Sequence, residues 1–396
     1  MLTDEMESLP VFLKGIPDPR RAQGRRHPLP TVLAIATGAV LCGMKGFKAI
    51  SDWAESLGQK ARKSFGCRRK NGQYVVPSEY VLRDCLTRVD PKSLDNAMQE
   101  WSIVHGKQDE SIAIDGKAMK NAIDEQGHQT HIMSAIGHET KECYTQIKVG
   151  TLPPKGDDEA KRTNEIGMFM PLVEAIPDIS GKTITADALL TQRKIAEYIV
   201  GRGGDYCFTV KDNQPKLRED IKLFFQYRQE PDYSLTDPPD HGRIETRKIW
   251  TTTELNSYLE FPHVGQAFVI VRESIYKKTG KPSLDVAYGI TSKSPEQAGA
   301  EKILYINRRH WSIENSCHYI LDWNYDEDRS RIRTGCGPEN ITRLRRFAIG
   351  LIKSKIIAKG PKCRASVAQI MRQLSFKVRQ VLDYLCMTKN TCSAAA

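Results

Sequence analysis

The chain is marked first by what it lacks. Its ten cysteines are scattered singly from Cys42 to Cys392, with no CxxC pair and no zinc-ligand spacing. That excludes a zinc ribbon and a disulfide framework, and predicts reduced, mostly buried thiols. The longest apolar run, Val32 to Met44, ends at Lys45, well short of the roughly 20 residues needed to cross a bilayer. Met1 to Leu9 is acidic and polar rather than basic and then apolar, so no secretory signal is expected. There is no internal repeat, and no low-complexity tract beyond Ala394 to Ala396. These absences predict a cytoplasmic chain with no membrane partner.

What is present is a core and a positive charge. Hydrophobic residues make up 40% of 396, enough to fill a sizeable interior. Lys and Arg number 59 against 48 Asp and Glu, a formal net charge of +11. Such an excess favours an anionic polymer as partner, although ribosomal and membrane-surface proteins share it.

The first hundred residues read as helices: Thr31 to Leu57 after Pro28 and Pro30, and Ser78 to His105. Basic clusters lie at Arg20, Arg21, Arg25 and Arg26, and at Arg62, Lys63, Arg68, Arg69 and Lys70, either solvated surface or DNA contact. From Ser111 the texture changes to short apolar runs bounded by Gly and Asp. Strands are predicted at Ser111 to Asp115, His131 to Ile136, Cys143 to Val149, Thr183 to Asp187 and Asp205 to Val210. Helices are predicted from Asn164 to Ala175, Thr191 to Val200 and Lys216 to Tyr227. Three strands followed by alternating helix and strand make a mixed α/β sheet, in the order of a ribonuclease-H-like fold. Pro231 to Ser294 reads as an inserted β unit with strands at Thr246 to Thr252, Ala267 to Ser274 and Leu284 to Ile290. A helix from Glu301 to Trp323 and basic helical sequence close the chain. The division expected is 1–107 helical and basic, 108–350 catalytic with the insert at 231–294, and 351–396 a basic helical tail.

Three acids stand out. Asp115 ends Ile112-Ala113-Ile114 ahead of Gly116, in what should be a central strand, where a carboxylate is costly to bury unpaired. The alternative is a turn aspartate. Asp187 closes Thr183-Ile184-Thr185-Ala186, at the carboxyl end where open α/β sheets place ligands, or else caps the next helix. Glu314 falls at the edge of a helical stripe of Ile303, Ile306, Ile313, Cys317, Ile320 and Leu321, which offers a semi-buried acid to the core. His310, Glu314 and His318 recur every fourth residue, but no HExxH accompanies them. Trp311 is expected to pack rather than to stack on a base. Oxygen ligands of this kind suit the cations that assist phosphodiester cleavage.

The motifs Ile16-Pro17-Asp18-Pro19-Arg20-Arg21, Ile114-Asp115-Gly116-Lys117, Thr185-Ala186-Asp187-Ala188 with Thr191-Gln192, Lys211-Asp212-Asn213-Gln214-Pro215, His241-Gly242-Arg243-Ile244-Glu245 and His310-Trp311-Ser312-Ile313-Glu314-Asn315 occur in that order. Together they resemble insertion-sequence DDE transposases of the H-repeat-associated (ISAs) family, over most of the chain. The resemblance implies Asp115, Asp187 and Glu314 as catalytic metal ligands, with Mg²⁺ as cofactor and Mn²⁺ able to substitute. It implies double-stranded DNA as partner, both transposon ends and target, and a dimer on paired ends. Residues 1–107 become the transposase-associated DNA-binding domain. Lys117, Lys211, Asn213 and Gln214 are candidate strand contacts, with loop capping as the alternative, and Arg308 and His310 are further candidates. The wider superfamily carries Tyr and Arg before the last Glu and Lys after it; here those offsets fall on Asn307, His310 and Leu321, while Tyr305 and Arg308 stand at shifted positions. A nuclease without strand transfer and a catalytically silent DNA-binding protein are the other readings. Glu245 is expected to be paired structurally with Arg243 and Arg247.

Overall fold

The computed structural model describes residues 7–123, 127–150, 158–227, 229–239, 242–360 and 363–388. His241, Cys392 and the Ala394 to Ala396 tail lie outside them. Helices α1 (Leu9–Phe12), α2 (Leu29–Leu41), α3 (Phe47–Ser56) and α4 (Gln59–Ser64) come first, then a small ribbon, β1 (Arg69–Lys70) and β2 (Gln73–Tyr74), then α5 (Glu79–Arg88) and α6 (Pro91–His105). Next come β3 (Ser111–Ile123), β4 (Gln129–Gly137), β5 (Cys143–Val149), α7 (Asp158–Glu174), β6 (Thr183–Ala186), α8 (Arg193–Gly201), β7 (Asp205–Val210) and α9 (Pro215–Phe224). The strands β8 (Tyr233–Thr236), β9 (Arg243–Thr252), β10 (Gln266–Tyr276) and β11 (Pro282–Thr291) follow. The chain ends with α10 (Ala300–His310), α11 (Tyr319–Trp323), α12 (Gly337–Ala358), α13 (Val367–Phe376) and α14 (Val378–Tyr384).

Local chemistry explains the breaks. The stretch predicted as helical from Thr31 to Leu57 divides at Gly43, whose φ of +81° suits a residue without Cβ. The stretch from Ser78 to His105 divides at Pro91. There Asp90 caps α6 by accepting from the Ser93 backbone N–H at 2.8 Å.

By compactness the chain forms two units, one of residues 1–108, 116–164 and 314–396, the other of 109–115 and 165–313. In the second unit, Ser111–Ile114 of β3 pairs in parallel with β6, and β6 in parallel with β7. β7 pairs antiparallel with β11, and β10, β9 and β8 continue outward antiparallel. The strands of the region expected as an inserted β unit extend this mixed sheet, the last of them pairing with the edge that β7 would otherwise expose. Ile112, Ala113 and Ile114 are buried, as is every residue of β6, the pattern of parallel strands covered on both faces. Ile303, Leu304 and Ile306 of α10 close a core with Cys207, Ile249, Phe268 and Ile270.

In the first unit, α2 is buried along nearly its whole length and packs with α3, α5 and α12, as its apolar sequence requires. α12 carries three fully buried arginines, so this part of the basic carboxyl-terminal sequence is interior. Arg343 forms an ion pair with Asp95 at 2.6 Å. Arg345 pairs with Glu327 at 3.0 Å and donates to the Lys45 carbonyl at 2.8 Å. Charges are held inside only when paired in this way. Among the described residues, no helix is long and apolar enough to cross a membrane.

Candidate active site

β3 does not end at Asp115, as the sequence suggested, but runs on to Ile123. Asp115 is therefore a half-buried acid within a strand, not a turn residue. Asp187 is the first residue beyond β6 and precedes a single 3₁₀ turn, Ala188–Leu190, yet its side chain makes no capping hydrogen bond. Ile114 and Ala186 are register partners on parallel strands. Asp115 and Asp187 each follow directly where the β3–β6 pairing ends, on strands that neighbour each other at about 4.8 Å.

The surroundings of Asp187 are built by β6, α10 and the turn after β7. His310, the last residue of α10, presents Nδ1 to Thr185 Oγ1 at 3.1 Å and Nε2 to Asp187 Oδ1 at 3.7 Å, an ion-pair rather than a hydrogen-bond separation. His310 holds the Asp187 carboxyl below its ordinary 3.8 against partial burial, which works the other way; Lys211 adds to the lowering. Asn213 donates its side-chain N–H to the Ala188 carbonyl, and Gln214 donates to the Thr191 carbonyl at 3.0 Å. The Thr191 hydroxyl donates to the Thr209 carbonyl at 2.8 Å. Together these bonds tie the turn after Asp187 to the turn after β7, so the backbone that carries the acid is braced from both sides.

The helix predicted from Glu301 to Trp323 is interrupted. α10 stops at His310, Glu314–His318 forms a π turn, and α11 resumes at Tyr319. Ile303, Ile306, Ile313, Cys317, Ile320 and Leu321 are all buried as the stripe predicts, but the wider turn leaves Glu314 exposed rather than semi-buried. Such turns recur at functional positions because they re-aim one side chain. Glu314 and His318 bring ligand atoms within 4.8 Å of one another; their four-residue spacing was the visible signal. Trp311 is 63% exposed at the helix end, not packed, because α10 terminates there and it leaves the stripe.

Lys117 has partners far away in sequence: Asp322 at 2.7 Å and Asp328 at 3.5 Å, the latter also paired with Lys120 at 2.5 Å. Burial pushes the Asp322 carboxyl up and Lys117 opposes it. Arg308 pairs with Asp237 at 2.9 Å. Glu245 is held by Arg243 at 2.9 Å and by Arg247, the partners expected for it, and Arg247 also reaches Asp237.

Comparison with known proteins places these residues in context. Residues 151–340 match the family model described as transposase DDE domain, and residues 11–102 match the model described as DDE_Tnp_1-associated. The H repeat-associated protein YhhI of Escherichia coli (strain K12), provisionally named a transposase, is 28% identical over 369 residues, covering 90% of this chain and 93% of that protein. YncI of Escherichia coli O157:H7, also provisionally named a transposase, is 29% identical over 373 residues, 90% of each chain. An uncharacterised protein in the dhlA 3′ region of Xanthobacter autotrophicus is 29% identical over 294 residues, 72% of this chain and 94% of that protein.

Proposed function

The chain belongs to the DDE-domain transposases, and from that premise we propose that it cuts double-stranded DNA at the ends of an insertion sequence and joins the freed 3′ ends to a target duplex, using a ribonuclease-H-like core. The observation that carries this reading is the register partnership of Ile114 and Ala186, the last pair of the β3–β6 ladder, which Asp115 and Asp187 directly follow. Asp115, Asp187 and Glu314 are the residues assigned to hold a divalent cation, Mg²⁺ with Mn²⁺ as a substitute. The donor chemistry fits, because carboxylate oxygens suit a hard cation that keeps part of its water. A cation bound there supplies a lowered water pKa and relief of charge on the phosphate.

The protein's own contribution is clearest at Asp187, which it keeps ionised and fixed. His310 and Lys211 favour the charged form of Asp187, so its oxygens stay available as ligands across the neutral range. Asn213 and Gln214 hold the turn that follows it, and a fixed backbone is what a ligand needs to hold its geometry. Lys117, Lys211, Arg308 and His310 remain candidates for strand contact beside their ion pairs. A dimer belongs to the reading because one element has two ends to cut. The test is to incubate the purified chain with duplex DNA carrying its own gene's flanking sequence and Mg²⁺, and to map the products. Cleavage with 3′-hydroxyl ends and joined strands, lost with EDTA, is the expected result. Hydrolysis without joined products would remove the transfer step, and no cleavage at all would remove the assignment.

A further inference from the structure

Within the first unit a cleft of about 690 Å³ is walled on one side by α3, α5 and the residues just before α3, and on the other by the segment Tyr325–Thr334. Seven basic and three acidic side chains line it, and the acids are all spoken for. Asp52 pairs with Lys48 at 2.5 Å, Glu79 with Arg83 at 2.8 Å, and Asp326 with Arg329 at 3.7 Å. Arg345 is spent on Glu327. The surplus positive charge rests on Lys45, Arg331 and Arg333, with Arg329 only loosely held, its side chain 83% exposed.

The segment that carries these arginines leaves the 3₁₀ turn Glu327–Arg329 through the extended Ser330 and is anchored at both ends. At its start, Asp328 is gripped by Lys117 and Lys120, and its carbonyl accepts from the Asn121 side chain at 2.7 Å. At its end, Arg333 Nε donates to the Asn121 carbonyl at 2.8 Å, and the Cys336 N–H donates to the Thr87 carbonyl at 2.8 Å. Gly335, at φ +52°, makes the last anchor possible: a Cβ there would stand 2.4 Å from the Thr87 carbonyl oxygen. Between the anchors the exposure alternates. Arg329, Arg331 and Arg333 are exposed, while Ser330 and Ile332 are half-buried. Residues two apart in extended chain stand roughly 6.6 Å apart, the scale on which phosphates succeed one another along a nucleic-acid strand, and Arg331 and Arg333 are two apart just beyond the 3₁₀ turn that carries Arg329. Arg331, at the centre, has no hydrogen bond or ion pair among the described residues.

We infer that the strap Arg329–Arg333 and the cleft behind it form a track for the phosphodiester backbone of a DNA strand. A planar guanidinium with no internal partner is suited to a phosphate oxygen pair, and a strap pinned at both ends presents its arginines without first having to be ordered. Contact with phosphate positions a duplex and reads no sequence. The inference rests on DNA being the partner, as proposed above.

The test compares the full chain with Arg331→Gln and with Arg329→Gln/Arg331→Gln. Arg333 is left intact because it anchors the strap. Binding to several unrelated duplexes is measured by fluorescence anisotropy over a range of salt. Each phosphate no longer neutralised should reduce the slope of log Kobs against log salt by about 0.9, so about 1.8 for the double variant, equally on every sequence. Arg331→Lys should restore much of the slope, and Arg379→Gln, an exposed change on α14, should leave it alone. Wild-type protein that binds while the double variant keeps its slope and melting temperature overturns the track alone. A loss confined to one sequence overturns the phosphate assignment in favour of base reading. Wild-type protein without salt-dependent DNA affinity overturns the track and the DNA reading together.

Discussion

His310 Nε2 stands 3.7 Å from Asp187 Oδ1, while the other ring nitrogen faces Thr185 Oγ1 at 3.1 Å. Thr185 donates its hydroxyl to the Ile112 carbonyl at 3.4 Å, so its lone pair is left to accept from His310 Nδ1–H. His310 is the main cause of the lowering of the Asp187 carboxyl, and burial opposes it.

His310→Gln should therefore raise the Asp187 pKa toward its ordinary 3.8, since His310 is the main cause of its lowering. The sign follows from a depressed carboxyl: its stabilising effect is present above 3.8 and fades as pH falls through the lower folded value. In His310→Gln that effect should be absent, so the acid limb of the stability curve loses this contribution. The cation concentration for half-maximal cleavage should rise on the order of 10-fold, the scale on which removing a side chain that supports a ligand weakens metal binding. A carbon-detected titration that gives Asp187 the same pKa in both proteins would reject His310 as the cause.

The basic run from Arg62 to Lys70 is not one surface. Arg62 donates to the carbonyls of Leu57 at 2.7 Å, Glu55 at 2.5 Å and Tyr74 at 3.2 Å, which closes the loop around α4. Arg62→Gln should cost about 1 kcal/mol of stability, seen in denaturant unfolding, because three loop carbonyls, two of them in part-buried bonds, lose their donor. Lys63 and Lys70 are exposed. Lys63→Gln/Lys70→Gln should leave the unfolding midpoint in place and flatten the salt dependence of DNA binding. A reversed pattern, with Arg62 governing salt slope and the lysines governing stability, would be evidence against this division.

Periodicity carried much of this structure into view. The strand Asp205 to Val210 and the buried stripe from Ile303 to Leu321 stand where composition and spacing put them, because each depends on neighbours within a few residues. The π turn at Glu314 was invisible, since the apolar spacing from Ile303 to Leu321 fits an unbroken helix. Lys117 and its partners Asp322 and Asp328 could not be read either. Pairings across some two hundred residues are set by how strands and helices meet, not by local pattern. The buried arginines of α12 could not be read from the sequence, as the counter-charges Asp95 and Glu327 that hold Arg343 and Arg345 inside lie far off or beyond a turn. Asp115 and Asp187 were legible as a pair because each follows a short apolar run, and parallel register then aligned them.

Those buried arginines make a separate expectation. Glu327 and Arg345 both have fully buried side chains, 3.0 Å apart, and Thr342 donates a further bond to Glu327. Glu327→Leu alone should destabilise by about 3–5 kcal/mol, because it strands a guanidinium inside the protein. Glu327→Leu/Arg345→Met should recover most of the loss, since apolar pairs of similar size are often tolerated where ion pairs were buried. Chemical denaturation of the wild type, the two single variants Glu327→Leu and Arg345→Met, and the double variant gives the coupling directly. Additive losses would mean that the two side chains do not act as a pair.

Glu314 and Glu245 both lie in motif blocks, and their surroundings separate them. Glu245 sits on β9 between Arg243 and Arg247, with its side chain only 12% exposed, and Arg247 is shared with Asp237. Its charge is thus already answered by two guanidinium groups, and a cation would have to displace them. Glu314 is exposed at the start of the π turn, and His318 is the group placed near it. Glu314→Gln preserves size and removes the charge that a cation needs, so cleavage should fall by orders of magnitude while DNA binding and melting temperature stay as they were. Glu245→Gln leaves Arg243 and Arg247 facing a neutral amide in a poorly hydrated strand, which should cost stability, about 1–3 kcal/mol, and spare measurable cleavage. Both variants are assayed on one duplex with Mg²⁺, alongside unfolding curves. The assignment falls if Glu314→Gln cuts at near-normal rates while a folded Glu245→Gln does not.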